Sequence, residues 1–343
     1  MMKGNLKSNY WKLIYLSAFL LCTEIACISQ PKISNGVNLN STKSIEVYKK
    51  EKFEVLKALD IPYAKGLSHE TYNSSSYTPI DLKLDIYYPD NELAERPLYF
   101  FIHGGGFKEG SKSQKIFVEL AHFYASRGWV FVSIDYRLNQ DLGTTPKAWN
   151  DYVKKVSLPT KIKNLNAIYP AVRDAKAALR WIIKNASLYK INKDYITVGG
   201  GSAGAMIALA IGISEPEDFT SEISVVNDYT LKTTHTEVFY QVKTLISHWG
   251  SKLPIDILEN VYNYQRIDEN APALLMIHGI NDQIVDISKP QELVEIYKSL
   301  GIPYQLYVIE EKGHALWHAT LNNKSLEELV LEFIVEQQNL VLI

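Results

Sequence analysis

Cysteine is nearly absent from this sequence: 343 residues contain two, Cys22 and Cys27, both before residue 30. If that segment is removed on export, the remaining chain has no disulfide, no thiol nucleophile and no thiolate metal site. Its chemistry must then come from oxygen and nitrogen groups. An excess of charge of one sign is also missing, since 36 Lys and Arg against 38 Asp and Glu leave a net charge of −2. No basic block tracks a phosphate backbone, so nucleic acid is not expected as a partner. The apolar run Leu13–Cys22 is too short for a comfortable membrane span, and no stable span is expected in the mature chain.

What the N-terminus does contain is ordered. Lys3, Lys7 and Lys12 precede the apolar run, and the small-residue stretch Ala26-Cys27-Ile28-Ser29 follows it. That layout predicts a secretory signal over 1–29 and a secreted or periplasmic protein. Cys27 after Ala26 offers a lipoprotein site as the competing reading, against which Glu24 stands where an aliphatic residue is usual.

A hydrophobic content of 46% suffices for one large core or two modest ones, and length alone does not choose. Residues 30–75 read as a linker and N-terminal segment, with Ile45, Tyr48, Phe53, Leu56 and Leu59 at loosely helical spacing. Residues 76–343 read as a catalytic domain. In it Leu82, Leu84 and Ile86 alternate with Asp81, Lys83 and Asp85, a half-buried strand. Short apolar strands then alternate with helices. Strands are predicted at Leu98–Ile102, Trp129–Ile134, Tyr195–Val198, Val242–Ser247, Ala273–Ile277 and Tyr304–Ile309. Helices are predicted at Lys115–Ser126, from Pro170, and at Ala203–Ile213, Pro290–Leu300 and Leu326–Val335. The fold class is therefore α/β, a mostly parallel sheet with helices on both faces and ligands at the carboxyl ends of the strands. Residues 139–168 and 214–241 break the alternation and read as lid or pocket-wall insertions.

The sharpest chemical signal is Gly200-Gly201-Ser202-Ala203-Gly204, at a predicted strand-to-helix turn. A serine on such a turn needs strained backbone angles and neighbours that let the chain fold back. The helix behind it offers free N–H groups to a developing oxyanion. The bare pattern would arise by chance in roughly one chain in ten of this length, so it needs support. His103-Gly104-Gly105-Gly106-Phe107 supplies it, because glycines after a strand can aim backbone N–H groups at a carbonyl oxygen.

A serine needs an imidazole base oriented by a carboxylate, in the chain order Ser, acid, His for this fold. Asp282, just beyond the strand ending at Ile277, is the candidate acid, with Asp286 its rival. His314, presented by Gly313 after the strand ending at Ile309, is the candidate base. His318 is the competing imidazole and reads better as a lid or surface residue.

With these residues assembled, the chain resembles the HGGG-bearing carboxylesterases of the α/β-hydrolase fold, the group related to hormone-sensitive lipase and including small bacterial acyl and feruloyl esterases. The resemblance spans about 80–320 and rests on the two glycine motifs, Ser133-Ile134-Asp135-Tyr136-Arg137-Leu138, Pro170–Ala175, His278–Val285 and Lys312-Gly313-His314. It implies a triad of Ser202, Asp282 and His314, with the oxyanion hole formed by the N–H groups of Gly105, Gly106 and Ala203. Asp135, Arg137 and Asp174 would be structural. Members often carry Asp or Glu where Gly201 stands, a third glycine where Ala205 stands, and a shorter connection than 139–168.

The expected activity is hydrolysis of carboxylic esters, on small-molecule or carbohydrate-linked substrates, with no cofactor or metal required. An amide hydrolase on the same fold (exopeptidase or arylformamidase) and a non-catalytic binding protein on a hydrolase scaffold are the alternatives.

Overall fold

A computed structural model describes residues 45–343, and the signal reading with Cys22 and Cys27 lies outside them. The described residues belong to a compact unit spanning Lys43–Ile343. In chain order they form β1 (Glu46–Val47), β2 (Val55–His69), β3 (Tyr77–Pro89), β4 (Arg96–Ile102), α1 (Lys115–Ala125), β5 (Val130–Ile134), α2 (Lys147–Val156) and α3 (Pro159–Lys184). There follow β6 (Ile191–Gly201), α4 (Ala203–Ile213), β7 (Thr244–His248), α5 (Leu253–Tyr262), β8 (Ala273–Gly279), α6 (Ser288–Leu300) and β9 (Tyr304–Ile309). Short β10 (Thr320–Leu321) and β11 (Lys324–Ser325) precede α7 (Leu326–Gln337) and β12 (Val341–Leu342).

Eight strands make the central sheet, in the order β2-β3-β5-β4-β6-β7-β8-β9. The pairs β2–β3 and β3–β5 are antiparallel and the rest are parallel. Alternation along β4 divides the core. Leu98, Phe100 and Ile102 face the layer containing α3 and α4, while Tyr99 and Phe101 face α1 and α7. Covering both faces explains why the parallel strands read as continuous apolar runs. The fold is that of the α/β hydrolases, as the sequence led one to expect.

The order reverses at β4. The chain leaves β4 for β5 on one side and returns to β6 on the other. The His103 loop and the Ser202 turn therefore leave neighbouring strand ends at the point where ligands bind in open α/β sheets.

Several local expectations are corrected. Residues 45–60 are not helical; they hold β1 and the start of β2, and Leu56 and Leu59 are exposed, so their spacing never reported a buried face. The described part of the N-terminal segment, from residue 45, includes β2, the outer strand of the central sheet. Pro170 does not open its helix but lies inside α3. With no N–H at Pro170, the Asn166 carbonyl lacks its helical donor, and the ring packs on Gly143, where a Cβ would sit 2.7 Å away. Residues 139–168 are largely helical, comprising α2 and the first turns of α3. They read as irregular because α2 buries only Trp149 and Val153. α5 was not anticipated.

Candidate active site

β6 ends in Gly200-Gly201, and Ser202 follows at φ 54°, ψ −119°, a left-handed conformation costly for a residue with a Cβ. The surroundings force it. A Cβ on Gly204 would lie 2.1 Å from the Ile102 carbonyl oxygen, so α4 starts in backbone contact with the end of β4. The Ser202 N–H donates to the His248 carbonyl at 2.9 Å, tying the turn to β7 as well.

His314 comes from the loop after β9, and its Nε2 lies 2.9 Å from Ser202 Oγ. Its Nδ1 is 2.7 Å from Asp282 Oδ2. A carboxylate only accepts, so Nδ1 carries the proton and Nε2 is left to accept the serine hydroxyl. Asp282 Oδ1 accepts the N–H groups of Ile284 at 2.8 Å and Val285 at 2.9 Å. Burial opposes its charge, but those N–H groups and His314 outweigh it and hold the carboxyl below its ordinary range. The three residues expected to act together are thus in contact, from three different strand ends.

The rivals stand elsewhere. Asp286 is exposed and its Oδ1 accepts the Ser288 N–H at 2.9 Å, where α6 begins. His318 is exposed beside Glu51, Ile116, His122 and Phe123.

The loop after β4 bends at Gly105, φ +115°, where a Cβ would fall 1.9 Å from the Glu109 carbonyl oxygen. Gly106 at φ +62° has open space instead. Neither N–H is taken by a chain acceptor among the described residues, and the Ala203 N–H is the first of α4, without an intrahelical partner. Under the loop, His103 stacks on Tyr136 at 4.4 Å, and the Tyr136 hydroxyl donates to the His103 carbonyl at 3.0 Å.

Two histidines of the site were not anticipated. His278 Nε2 donates to the Val285 carbonyl at 2.7 Å and lies 3.3 Å from Asp282 Oδ2, bracing the turn that carries the acid. Burial pushes the pKa of this imidazole down, against the Val285 carbonyl and Asp282, which favour its charged form. The sequence signal was its place four residues before Asp282. His248 is buried, its ring nitrogens find no partner among the described residues, and burial pushes its pKa down to about 3. Nothing in the sequence marked it.

Asp135, Arg137 and Asp174, expected to be structural, all make contacts within the chain. Arg137 grips Asp174 through two guanidinium N–H groups at 2.8 and 2.6 Å, and also donates to the Leu67 carbonyl. Asp135 accepts the Lys112 N–H at 2.7 Å. Beside them Arg173 pairs with Asp228 of the 214–241 segment, both buried. That segment is held further by Lys176, which donates to the Ser214 hydroxyl and to the Glu215 and Asp218 carbonyls. Arg266 grips Asp218 at 3.0 and 2.8 Å. These contacts fasten 214–241 as a wall against α3 and against the connection between α5 and β8. Among the described residues, no helix is long and apolar enough to cross a membrane, and no group of His, Cys, Asp and Glu could hold a metal ion.

Comparison with known proteins places this geometry in context. The family described as prolyl oligopeptidase matches residues 117–340, more than half of the chain, and the carboxylesterase family matches 81–141. Esterase LipC of Mycobacterium tuberculosis is 22% identical over 223 residues, covering 60% of this chain and 49% of that protein. Gut esterase 1 of Caenorhabditis briggsae is 33% identical over 132 residues, covering 38% of this chain and 21% of that protein. The chain therefore spans half or less of the length of these relatives. Among solved structures, Thermogutta terrifontis esterase 2 phosphonylated by cyclosarin superposes with a TM-score of 0.55 at 23% identity, over 83% of this chain and 94% of that one. That likeness establishes the fold.

Proposed function

This chain belongs to the prolyl oligopeptidase family, and we propose that within it the chain is a serine hydrolase cleaving carboxylic esters. The observation that carries this reading is the continuous relay from Asp282 through His314 to Ser202 Oγ, set beside free N–H groups at Gly105, Gly106 and Ala203. A carboxylesterase match covering the glycine loop, and relatives named as esterases, support the ester over the amide. Amide cleavage rests on the family description alone.

In the proposed reaction His314 Nε2 takes the Ser202 proton as Oγ attacks the ester carbonyl. The oxyanion accepts from the Gly105, Gly106 and Ala203 N–H groups, while Asp282 steadies the imidazolium. Collapse breaks the bond to the alcohol, which leaves with the proton from His314. Water, deprotonated by the same nitrogen, attacks the acyl-serine, and release of the acid restores the hydroxyl. No step calls on a cofactor.

Within the fold we place the chain with the HGGG-bearing group related to hormone-sensitive lipase, on the strength of His103–Phe107. We also propose that 1–29 directs export, with lipid attachment at Cys27 as the competing outcome. The intact mass of the mature protein distinguishes them.

An ester panel of varied acyl length, including acetylated and feruloylated sugars, tests the reaction on wild type and Ser202→Ala. Wild type should turn over short acyl esters and react with a fluorophosphonate at Ser202. The alanine variant should lose at least about 10⁴-fold in kcat. Activity surviving in that variant, or faster cleavage of aminoacyl anilides than of p-nitrophenyl acetate, would overturn the assignment.

A further inference from the structure

Gly201, one residue before Ser202, has a backbone that does not require glycine, since its φ is outside the left-handed region. What excludes a side chain is Trp317. A Cβ on Gly201 would lie 2.6 Å from Trp317 Cζ2 and 3.1 Å from Cη2. The indole therefore occupies the space against the nucleophile turn that a longer residue would fill.

Trp317 is three residues beyond His314, on the connection between β9 and β10, which contains no regular secondary structure. The connection turns through left-handed backbone at Glu311 and Ala315. Its first half is fixed where Asn281 N–H donates to the Lys312 carbonyl at 2.9 Å. Its second half is fixed by the indole, whose ring centroid lies 4.6 Å from Trp249, 4.9 Å from His248, 5.6 Å from Phe117 and 6.0 Å from Phe101. Trp249 in turn meets the His314 ring edge-on at 6.2 Å. Among the described residues neither ring nitrogen of His248 has a hydrogen-bond partner, so its contact with the indole is one of ring packing. Aromatic packing of the indole therefore holds the second half of the loop against the sheet, as the Asn281 hydrogen bond holds the first.

We propose that Trp317 is a positioning residue for His314, seated in the gap left by Gly201 so that the imidazole stays in reach of Ser202 Oγ. The inference rests on the reading of His314 as the base. It explains two sequence features as one, the missing side chain before the nucleophile and the tryptophan after the histidine.

The test measures kcat and KM on p-nitrophenyl acetate, and the rate of fluorophosphonate labelling, for four variants: Trp317→Phe, Trp317→Ala, Gly201→Ala and the double Gly201→Ala/Trp317→Ala. Thermal melts establish that each is folded. Trp317→Ala should lower kcat and labelling by about 100-fold with KM within about threefold, the scale of a small displacement of a catalytic group. Trp317→Phe should recover activity to within about tenfold of wild type. Gly201→Ala should be impaired alone, yet cost under about threefold more in the Trp317→Ala background, where the indole it strikes is gone. An intact kcat with raised KM would make the indole a substrate wall and sink the proposal, as would additive losses in the double variant. Should Trp317→Ala fail to fold, Trp317→Leu carries the same comparison. Undiminished labelling in His314→Ala would instead refute the base assignment itself.

Discussion

Two regions of this molecule solve the same problem, holding irregular backbone in one conformation, by different physics. Around Ser202 the chain is fixed by close backbone approach, left-handed φ values and aromatic packing. In the 214–241 wall it is fixed by buried charge, Arg173 to Asp228, Arg266 to Asp218, and Lys176 to three oxygen acceptors. Steric fixation is intolerant of added atoms and indifferent to pH. Ionic fixation tolerates shape but responds to protonation and to loss of one partner. A reaction centre gains from the first kind, because sub-ångström placement matters there more than total stability.

The largest expected effect lies in the centre. Asp282→Asn should keep the fold and reduce kcat on p-nitrophenyl acetate by about 10⁴-fold, because an amide can present a donor to Nδ1 and select the wrong tautomer. A loss below tenfold would mean that His278 or the backbone orients His314 unaided.

Next come the paired glycines. Gly105→Ala must displace the Glu109 carbonyl and should cost about 10²–10³-fold in kcat, the scale of one oxyanion donor. Gly106→Ala meets open space and should lose far less, through its positive φ alone. Equal losses would show that steric fixation is not what distinguishes the two positions.

The wall should answer in stability. Arg173→Met strands the Asp228 carboxylate and should lower unfolding stability by about 3–5 kcal/mol in urea titration. The kcat of the folded fraction should stay within about threefold of wild type. A collapse of kcat with unchanged stability would make the wall part of the site.

Asp228 also gives the wall a pH signature. Burial works against its charge, but Arg173, the Thr230 hydroxyl and Arg137 prevail and bring its pKa down to about 2. A carboxyl lowered on folding stabilises fully above its unfolded pKa near 4 and loses that contribution as pH falls towards 2. Between those limits the wild type should lose about 2 kcal/mol that Asp228→Asn, already weaker, does not. Parallel acid-denaturation curves for the two would contradict this.

The smallest effect belongs to an exposed pair. Lys147–Asp151 on α2 lies in solvent, so Lys147→Ala should change the melting midpoint by no more than about a degree or two. A larger shift would mean that α2 does more than cover Trp149 and Val153.

Legibility in the sequence followed the same division. The glycine motifs, the strand ends and the Ser-Asp-His order were readable, because each rests on local chemistry: glycine where a side chain will not fit, and apolar runs where a strand is covered on both faces. The choice of Asp282 over Asp286 was readable from its place at a strand end. The outer strand β2 was not, since an edge strand covered on one side leaves Leu56 and Leu59 exposed and erases the period of two. Nor was Pro170 within α3, because proline's usual place at a helix start outweighed the polar turns before it.

By itself, then, the sequence determined the α/β architecture, the residues able to carry acyl transfer and the expected order of their roles. Those depend on residue type and short-range spacing. Only the tertiary structure decided which groups meet across long separations: Arg173 with Asp228, and Trp317 in the space against Gly201. Such contacts arise when separate strand ends converge, and no local period in the chain records which side chains will face one another there.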